Sequence, residues 1–238
     1  MRGLGLTLQG GLALCLMALA ACGAVRGVPS AGFVTPQVER AYIPLYIGTV
    51  VGSSRFAAAT VVAPNVAVTN DHNLNLLSED MVIARVPAQD LLFFRTERTA
   101  VPLIGMAHVG QAVIAYGQNG RTGRREATGI VREVGARVTP RCVNCPERRT
   151  ITYDAEAGGG FSGGPVVDAA SGAVVGITVG CEDGKADNGG RRMYAIDMDV
   201  VMAEMRRLVE GQRANTEVEV AMASGQGVQL LDQSAGRC

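Results

Sequence analysis

The chain has no excess of either charge: 22 Lys and Arg stand against 22 Asp and Glu, both signs scattered, for a formal net charge of zero. A protein that grips nucleic acid needs a basic face, so no nucleic-acid partner is expected. Histidine is scarce as well. Only His72 and His108 are present, so imidazole chemistry can fall on just two positions. Apolar runs long enough to cross a membrane are missing too. The stretch Leu12 to Ala21 is too short for a comfortable span. No internal repeat is evident. The roughly 217 residues left after an N-terminal leader suffice for one domain with its own core, with no room for a second.

Against this background one run of residues carries chemistry: Gly158-Gly159-Gly160-Phe161-Ser162-Gly163-Gly164-Pro165, preceded about ninety residues earlier by Val68-Thr69-Asn70-Asp71-His72. A serine hydroxyl is a poor nucleophile near neutral pH. It needs a histidine to take its proton and backbone donors to hold the oxyanion formed on attack. Glycine at 160 permits the positive-φ turn in which the N–H groups of residues 160 and 162 can converge. The alternative is a Gly-rich loop with an incidental serine, but apolar strand-like runs flank the segment and a histidine partner lies upstream. His108 lacks such a context and is assigned a structural or solvent-facing role.

These segments resemble the trypsin-like serine peptidases, in particular the bacterial HtrA-type protease domain. Val66 to Asn73 resembles the strand and turn that deliver the catalytic histidine. Asp90-Leu91-Leu92-Phe93-Phe94-Arg95 is similar to the acid followed by an apolar strand, and Val109 to Gly117 to the strand that opens the second barrel. Thr152 to Val167 resembles the nucleophile loop, followed by Gly176 to Gly180 and Tyr194 to Ile196 in the family's order. The resemblance spans roughly residues 45 to 210. It implies a Ser162, His72, Asp90 triad with an oxyanion hole from the amides of Gly160 and Ser162, acting on polypeptides without a cofactor or metal. Two features depart from the family. Only 18 residues separate His72 from Asp90, a short interval that leaves Asp71 and Asp80 as competitors for the acid. Adjacent side chains on an extended backbone point apart, which disfavours Asp71, and Asp80 lies in a polar stretch off the family's alignment. Phe161 stands where trypsins carry an aspartate that pairs with a freshly cleaved N-terminal amine, so trypsin's zymogen switch is not expected. The chain also leaves no room for the PDZ module that usually follows an HtrA protease domain. Glu156, six residues before the serine, and Thr178 to Gly180 are positional candidates for a substrate pocket. Glu156 reads more simply as a solvated loop residue, because the Gly-rich stretch after it leaves its alignment open. The rival to an enzyme is a catalytically inactive, lipid-anchored binding or scaffold domain of the same fold.

The leader, residues 1–21, runs into Cys22 through Leu19-Ala20-Ala21-Cys22, which resembles a bacterial lipobox with Cys22 as the acylated residue. Multiple acyl chains would hold the domain on a membrane, at ~0.8 kcal/mol per buried methylene. An ordinary secretory signal cut after Ala20 is the alternative. Either one implies export to the bacterial envelope. Lipidation would face the domain to the periplasm, whereas the ordinary signal would release it as a soluble or secreted protein. In an exported chain Cys142, Cys145, Cys181 and Cys238 read as disulfide partners, with a bridge across Cys142-Val143-Asn144-Cys145 possible and Cys181 then left for Cys238. A zinc site needs a second close cysteine pair, which the spacing does not supply.

The remaining pattern is all-β. Runs at 47–51, 56–62, 66–69, 81–86, 91–95 and 101–104, then at 112–116, 129–138, 150–153, 165–167, 173–179 and 192–196, are broken by turn residues. The expected architecture is two six-stranded antiparallel β-barrels, a trypsin-like double barrel, followed by a C-terminal α-helix from Asp199 to about Glu210 with Gly211 past its end. The expected layout is a tether over residues 22–40, a serine protease domain over 41–211, and a tail over 212–238 without catalytic role. His72 and Asp90 would lie on the first barrel and Ser162 on the second.

Overall fold

The computed structural model describes residues 26–48, 54–119, 123–138 and 148–223. The leader, Cys22, Cys142, Cys145 and Cys238 lie outside the described residues.

The second half of the chain closes into a barrel. Its strands are β7 (Ala112–Asn119), β8 (Gly123–Val138), β9 (Arg148–Ala155), β10 (Pro165–Asp168), β11 (Val174–Asp183) and β12 (Arg191–Asp197). They run in the order β8-β7-β10-β11-β12-β9, and β9 pairs back onto β8. Closure depends on the length of β8. Residues 123–130 pair with β7, whereas residues 129–138 pair with β9 through register shifts at Val131/Glu133 and Val134/Ala136. Such bulges bend a strand and let one strand serve two neighbours around a corner. Val113, Ala115, Ala127, Val131, Ile151, Tyr153, Val166, Val175, Met193 and Ala195 fill the interior. Tyr153 keeps its hydroxyl satisfied by a 3.0 Å hydrogen bond with Thr178 Oγ1, and burial pushes its phenol well above the usual range. On the wall, Asp154 of β9 takes charged hydrogen bonds from Arg132 of β8 and Arg192 of β12. Burial works to raise this carboxyl, but the bonds from Arg192, the Asp187 amide and Arg132 outweigh it and hold the carboxyl low.

The first half forms an antiparallel sheet of β2 (Tyr42–Gly48), β3 (Ser54–Ala63), β4 (Val66–Thr69), β5 (Val82–Val86) and β6 (Leu91–Arg95), ordered β2-β3-β4-β6-β5. Its core is Ala41, Leu45, Ala57, Ala59, Val61, Ala67, Leu92 and Phe94. Among the described residues this sheet has five strands and does not close, contrary to the expected six-stranded first barrel. The sixth run, 101–104, is not a strand of it. Pro102 has no N–H to give a ladder, and the segment turns to the other sheet: Val174 N donates to Leu103 O at 2.7 Å, and Gly105 N to Val174 O at 2.9 Å.

Residues 26–40, the described part of the expected tether, carry structure of their own. Val28–Pro29 forms a short strand, β1, on β8. Pro36–Ala41 forms helix α1, with Pro36 in its first turn and Thr35 Oγ1 accepting the Val38 N–H at 3.2 Å. Phe33 packs against Tyr42 of β2 and Tyr116 of β7, at centroid distances of 5.3 and 4.7 Å. Each such aromatic pair adds about 0.5–1.5 kcal/mol beyond burial, enough to hold this segment across both sheets.

The C-terminal unit is a helix, α2 (Met198–Ala223), with an Arg207–Glu204 pair at 2.7 Å. The helix begins before Asp199, which falls in its first turn, and it continues through Gly211 rather than ending there. A glycine costs a helix only about 1 kcal/mol relative to alanine, and Gln212, Arg213 and Ala214 that follow are good helix formers. The expected tail thus begins as helix.

Candidate active site

Strand register delivers the histidine and its acid. β4 and β6 are antiparallel neighbours with Thr69 opposite Leu92, so the end of β4 and the start of β6 share one edge of the sheet. His72 lies three residues past that end, in a 3-10 turn over Asp71–Leu76, and Asp90 immediately precedes β6. The 18-residue interval is therefore long enough: it holds two further 3-10 turns and the short β5.

Asp90 is bound to the histidine turn through both backbone and side chain. Its Oδ2 lies 2.8 Å from His72 Nδ1, and its Oδ1 accepts the His72 backbone N–H at 3.0 Å. Its carbonyl accepts the Asp71 N–H at 3.1 Å and Asn70 Nδ2 at 3.3 Å. Asp90 is 8% exposed and adopts a left-handed conformation, φ 54°, at the end of the turn Pro87–Gln89. Asp is among the few non-glycine residues that tolerate that region. With the carboxylate facing Nδ1, the ring's Nε2 is the nitrogen left to act as a base. Of the competing acids, Asp71 forms a two-pronged pair with Arg85 at 2.6 and 2.8 Å, and Asp80 is exposed, with no hydrogen bond to His72 among the described residues.

Ser162 sits on the loop between β9 and β10, which is held by close backbone approach. Gly160 has φ 90°, and a Cβ there would collide with the Gln118 carbonyl. Gly163 has φ 79°, and a Cβ there would collide with the Ala58 carbonyl and Thr69 Oγ1. Three of the loop amides have acceptors. Phe161 N donates to Gly158 O, Gly163 N to Thr178 O, and Gly164 N to Phe161 O. Among the described residues the amides of Gly160 and Ser162 have no acceptor, so two N–H groups two residues apart are free beside the serine.

The two sheets meet at Ser162. Its carbonyl accepts Ala58 N of β3 at 2.9 Å and Asn73 Nδ2 at 3.4 Å. Asn73, buried next to His72, also donates to Thr69 Oγ1 at 3.0 Å. Sequence reasoning missed this residue. An asparagine beside a candidate histidine has no distinctive pattern, and its partner is 89 positions away. His72 and Asp90 are thus joined directly, and Ser162 is tied to the same turn through its backbone. Among the described residues Ser162 Oγ has no hydrogen bond to His72.

The pocket candidates differ in their surroundings. Glu156 is largely exposed and pairs with Arg26 at 3.2 Å. Thr178 is buried, its hydroxyl bonded to Tyr153, and Gly180 follows a register shift between β11 and β12. Cys181, the one cysteine among the described residues, is a free exposed thiol, and its expected partner Cys238 lies outside the described residues. Cys181 stands opposite Met193, with Arg191 and Asp183 acting on it. Partial desolvation keeps this thiol above its usual range.

The family model for a trypsin-like peptidase domain matches residues 31–177, more than half of the chain. No curated protein matches. Among solved structures, the MamO protease domain from Magnetospirillum magneticum superposes with a TM-score of 0.56 at 20% identity, over 71% of this chain and 97% of that one. The active form of the M. tuberculosis protease Rv3671c gives 0.58 at 19% identity, over 78% and 91%. The HtrA-type protease AlgW, bound to a tripeptide, gives 0.59 at 20% identity, over 76% of this chain and 65% of that one. This chain thus spans less than two thirds of AlgW's length. At these identities the likeness is one of fold.

Proposed function

The chain belongs to the trypsin-like peptidase domain family, and from that premise we propose that it is a serine endopeptidase with Ser162 as nucleophile, His72 as base and Asp90 as orienting acid. The observation that carries this reading is the double hold of Asp90 on His72, at 2.8 Å to Nδ1 and 3.0 Å from the backbone N–H, at a turn hydrogen-bonded to the carbonyl of Ser162. Asp90 fixes the tautomer with the proton on Nδ1. Nε2 then takes the Ser162 proton as Oγ attacks the peptide carbonyl. Asp90 stabilises the imidazolium, which gives its proton to the leaving amine, and water hydrolyses the acyl-enzyme by the reverse sequence. The free amides of Gly160 and Ser162 receive the oxyanion, a role worth ~10²–10³ in turnover per donor.

Arg26 already offsets the charge of Glu156, and the Thr178 hydroxyl is committed to Tyr153. We therefore assign the pocket no strong preference for a basic side chain, with Gly180 contributing only its open backbone. The lipobox-like Cys22 supports a lipid-anchored enzyme facing the periplasm. In that case detergent but not high salt releases the wild type, while recovery as a soluble protein starting at Ala21 would favour the ordinary signal.

The test is peptide turnover by Ser162→Ala, His72→Ala and their double variant. Each single variant loses activity with its fold intact, and the double variant is hardly worse, because the two residues act as a unit. Full activity in Ser162→Ala would end this reading, and an inert wild type would favour the scaffold alternative.

A further inference from the structure

We propose that Arg26 and Gly27 are positioning residues for the nucleophile loop: the segment 26–30 seats Phe161 and thereby sets the amides that flank it. This rests on the reading of Gly160 and Ser162 as oxyanion donors. The segment precedes the stretch matched by the family, residues 31–177, so it is a feature of this chain rather than part of that match. Its one large apolar side chain, Val28, is 58% exposed. Burial of apolar surface therefore does not explain why the strand is there, and its contacts are mostly polar and aimed at the loop.

Gly27 N donates to Glu156 O at 2.7 Å, and Arg26 pairs with the Glu156 carboxylate at 3.2 Å. Arg125 of β8 holds the segment from the other side, bonding the carbonyls of Arg26 and Gly27. Ser30 completes the attachment, with its N–H to Arg124 O at 3.1 Å and its hydroxyl to Glu126 at 2.6 Å. Gly27 has φ 70°, and a Cβ there would lie 2.7 Å from Phe161 Cζ and 2.7 Å from Glu126 O. A Cβ on Gly117 of β7 would lie 2.6 Å from Phe161 Cγ. The ring thus packs directly against two glycines, one on β7 and one on the N-terminal segment. The Ser162 amide belongs to the peptide that follows Phe161, so the seat of this ring fixes one donor directly. The turn from Gly158 O to Phe161 N fixes the other. In place of a charged pair with a chain terminus, the loop is set by an apolar ring held under a strap.

The experiment uses the full chain and measures kcat, KM and the affinity of a peptide boronate, which forms a tetrahedral adduct that needs the oxyanion donors. Gly27→Val forces the strap off Phe161. The expected result is a kcat lower by ~10–100-fold, short of or equal to losing one donor outright, with KM within about 3-fold and boronate affinity falling with kcat. Gly27→Ala is the milder variant should the valine impair folding. Its loss is to be partly restored by adding Phe161→Leu, which frees the contested space, with boronate affinity recovering alongside kcat and the unfolding temperature not tracking them, a split that a purely structural role would not give. An active wild type whose Gly27→Ala and Gly27→Val variants match it in kcat overturns this proposal alone. Loss without rescue, with kcat and unfolding temperature falling together, overturns it as well. A wild type inert to peptide and boronate overturns the peptidase reading and this proposal with it.

Discussion

The two sides of the candidate site are held in place by different means. On the His72 side, a sheet that among the described residues has five strands and does not close ends in 3-10 turns, and the candidate groups are placed by polar contacts: Asp90 to His72 and Asp71, Asn70 to Asp90, Asn73 to Thr69. On the Ser162 side, a closed barrel presents a loop placed by backbone approach, with Gly160 against Gln118, Gly163 against Ala58 and Thr69, and Phe161 in the apolar core. The first side should therefore be sensitive to loss of a hydrogen-bonding group, and the second to the addition of any atom. A substitution that is mild on one side becomes severe on the other.

The sharpest probe of the polar side is Asp90→Asn. It keeps the shape but favours the wrong histidine tautomer, and turnover should fall by as much as ~10⁴ with the unfolding temperature little changed. A mild effect would mean that another group orients His72. On the backbone side Gly160→Ala adds a single methyl at φ 90°. Turnover should fall by ~10²–10³ as the oxyanion amides shift, with stability lowered by ~1–3 kcal/mol from strain. Normal turnover there would show that the loop can yield.

Asn73→Ala tests the join between the two sides. It removes the donor to Thr69 Oγ1 and Ser162 O. A loss of about 1–3 kcal/mol in denaturant unfolding, with roughly tenfold lower kcat at little changed KM, is the expected result. Unchanged kcat would leave Asn73 a purely structural residue. A smaller effect is expected of Asp71→Asn, which breaks the pair with exposed Arg85 and should change stability little and turnover not at all. It serves as the control for Asp90.

The smallest effect concerns pH and the barrel wall. Because the Asp154 carboxyl is held low in the folded state, its contribution to stability is present above the ordinary carboxylate value and fades as pH falls through the lowered one. Asp154→Asn should therefore narrow the stability difference between neutral and acid pH. An unchanged acid-unfolding profile would show that the Arg132 and Arg192 bonds add nothing.

The same contrast explains what could be read from the sequence. Close backbone approach leaves a signature because only glycine permits it, so the loop around Ser162 was plain, and a strand ending in a polar turn marked His72. Polar placement leaves less. Asn73 contacts a partner 89 positions away, and the approach of Asp90 to His72 depends on the register of Thr69 opposite Leu92, which no local pattern states. The misread segments fail for identifiable reasons. The run at 101–104 is apolar like a strand, but Pro102 denies it a ladder. The small residues around 26–34 hide the seat of Phe33 between Tyr42 and Tyr116. Gly211 reads as a stop, although the residues after it favour continuing the helix.

The central claim is that Ser162 is a nucleophile activated at this junction of polar and backbone placement. The most direct measurement is the intact mass of the chain after treatment with a fluorophosphonate, wild type beside Ser162→Ala and His72→Ala. One adduct located to Ser162 in the wild type, none in Ser162→Ala and greatly slowed labelling in His72→Ala is the predicted result. An adduct that persists in Ser162→Ala, or a wild type that acquires none, would contradict the account.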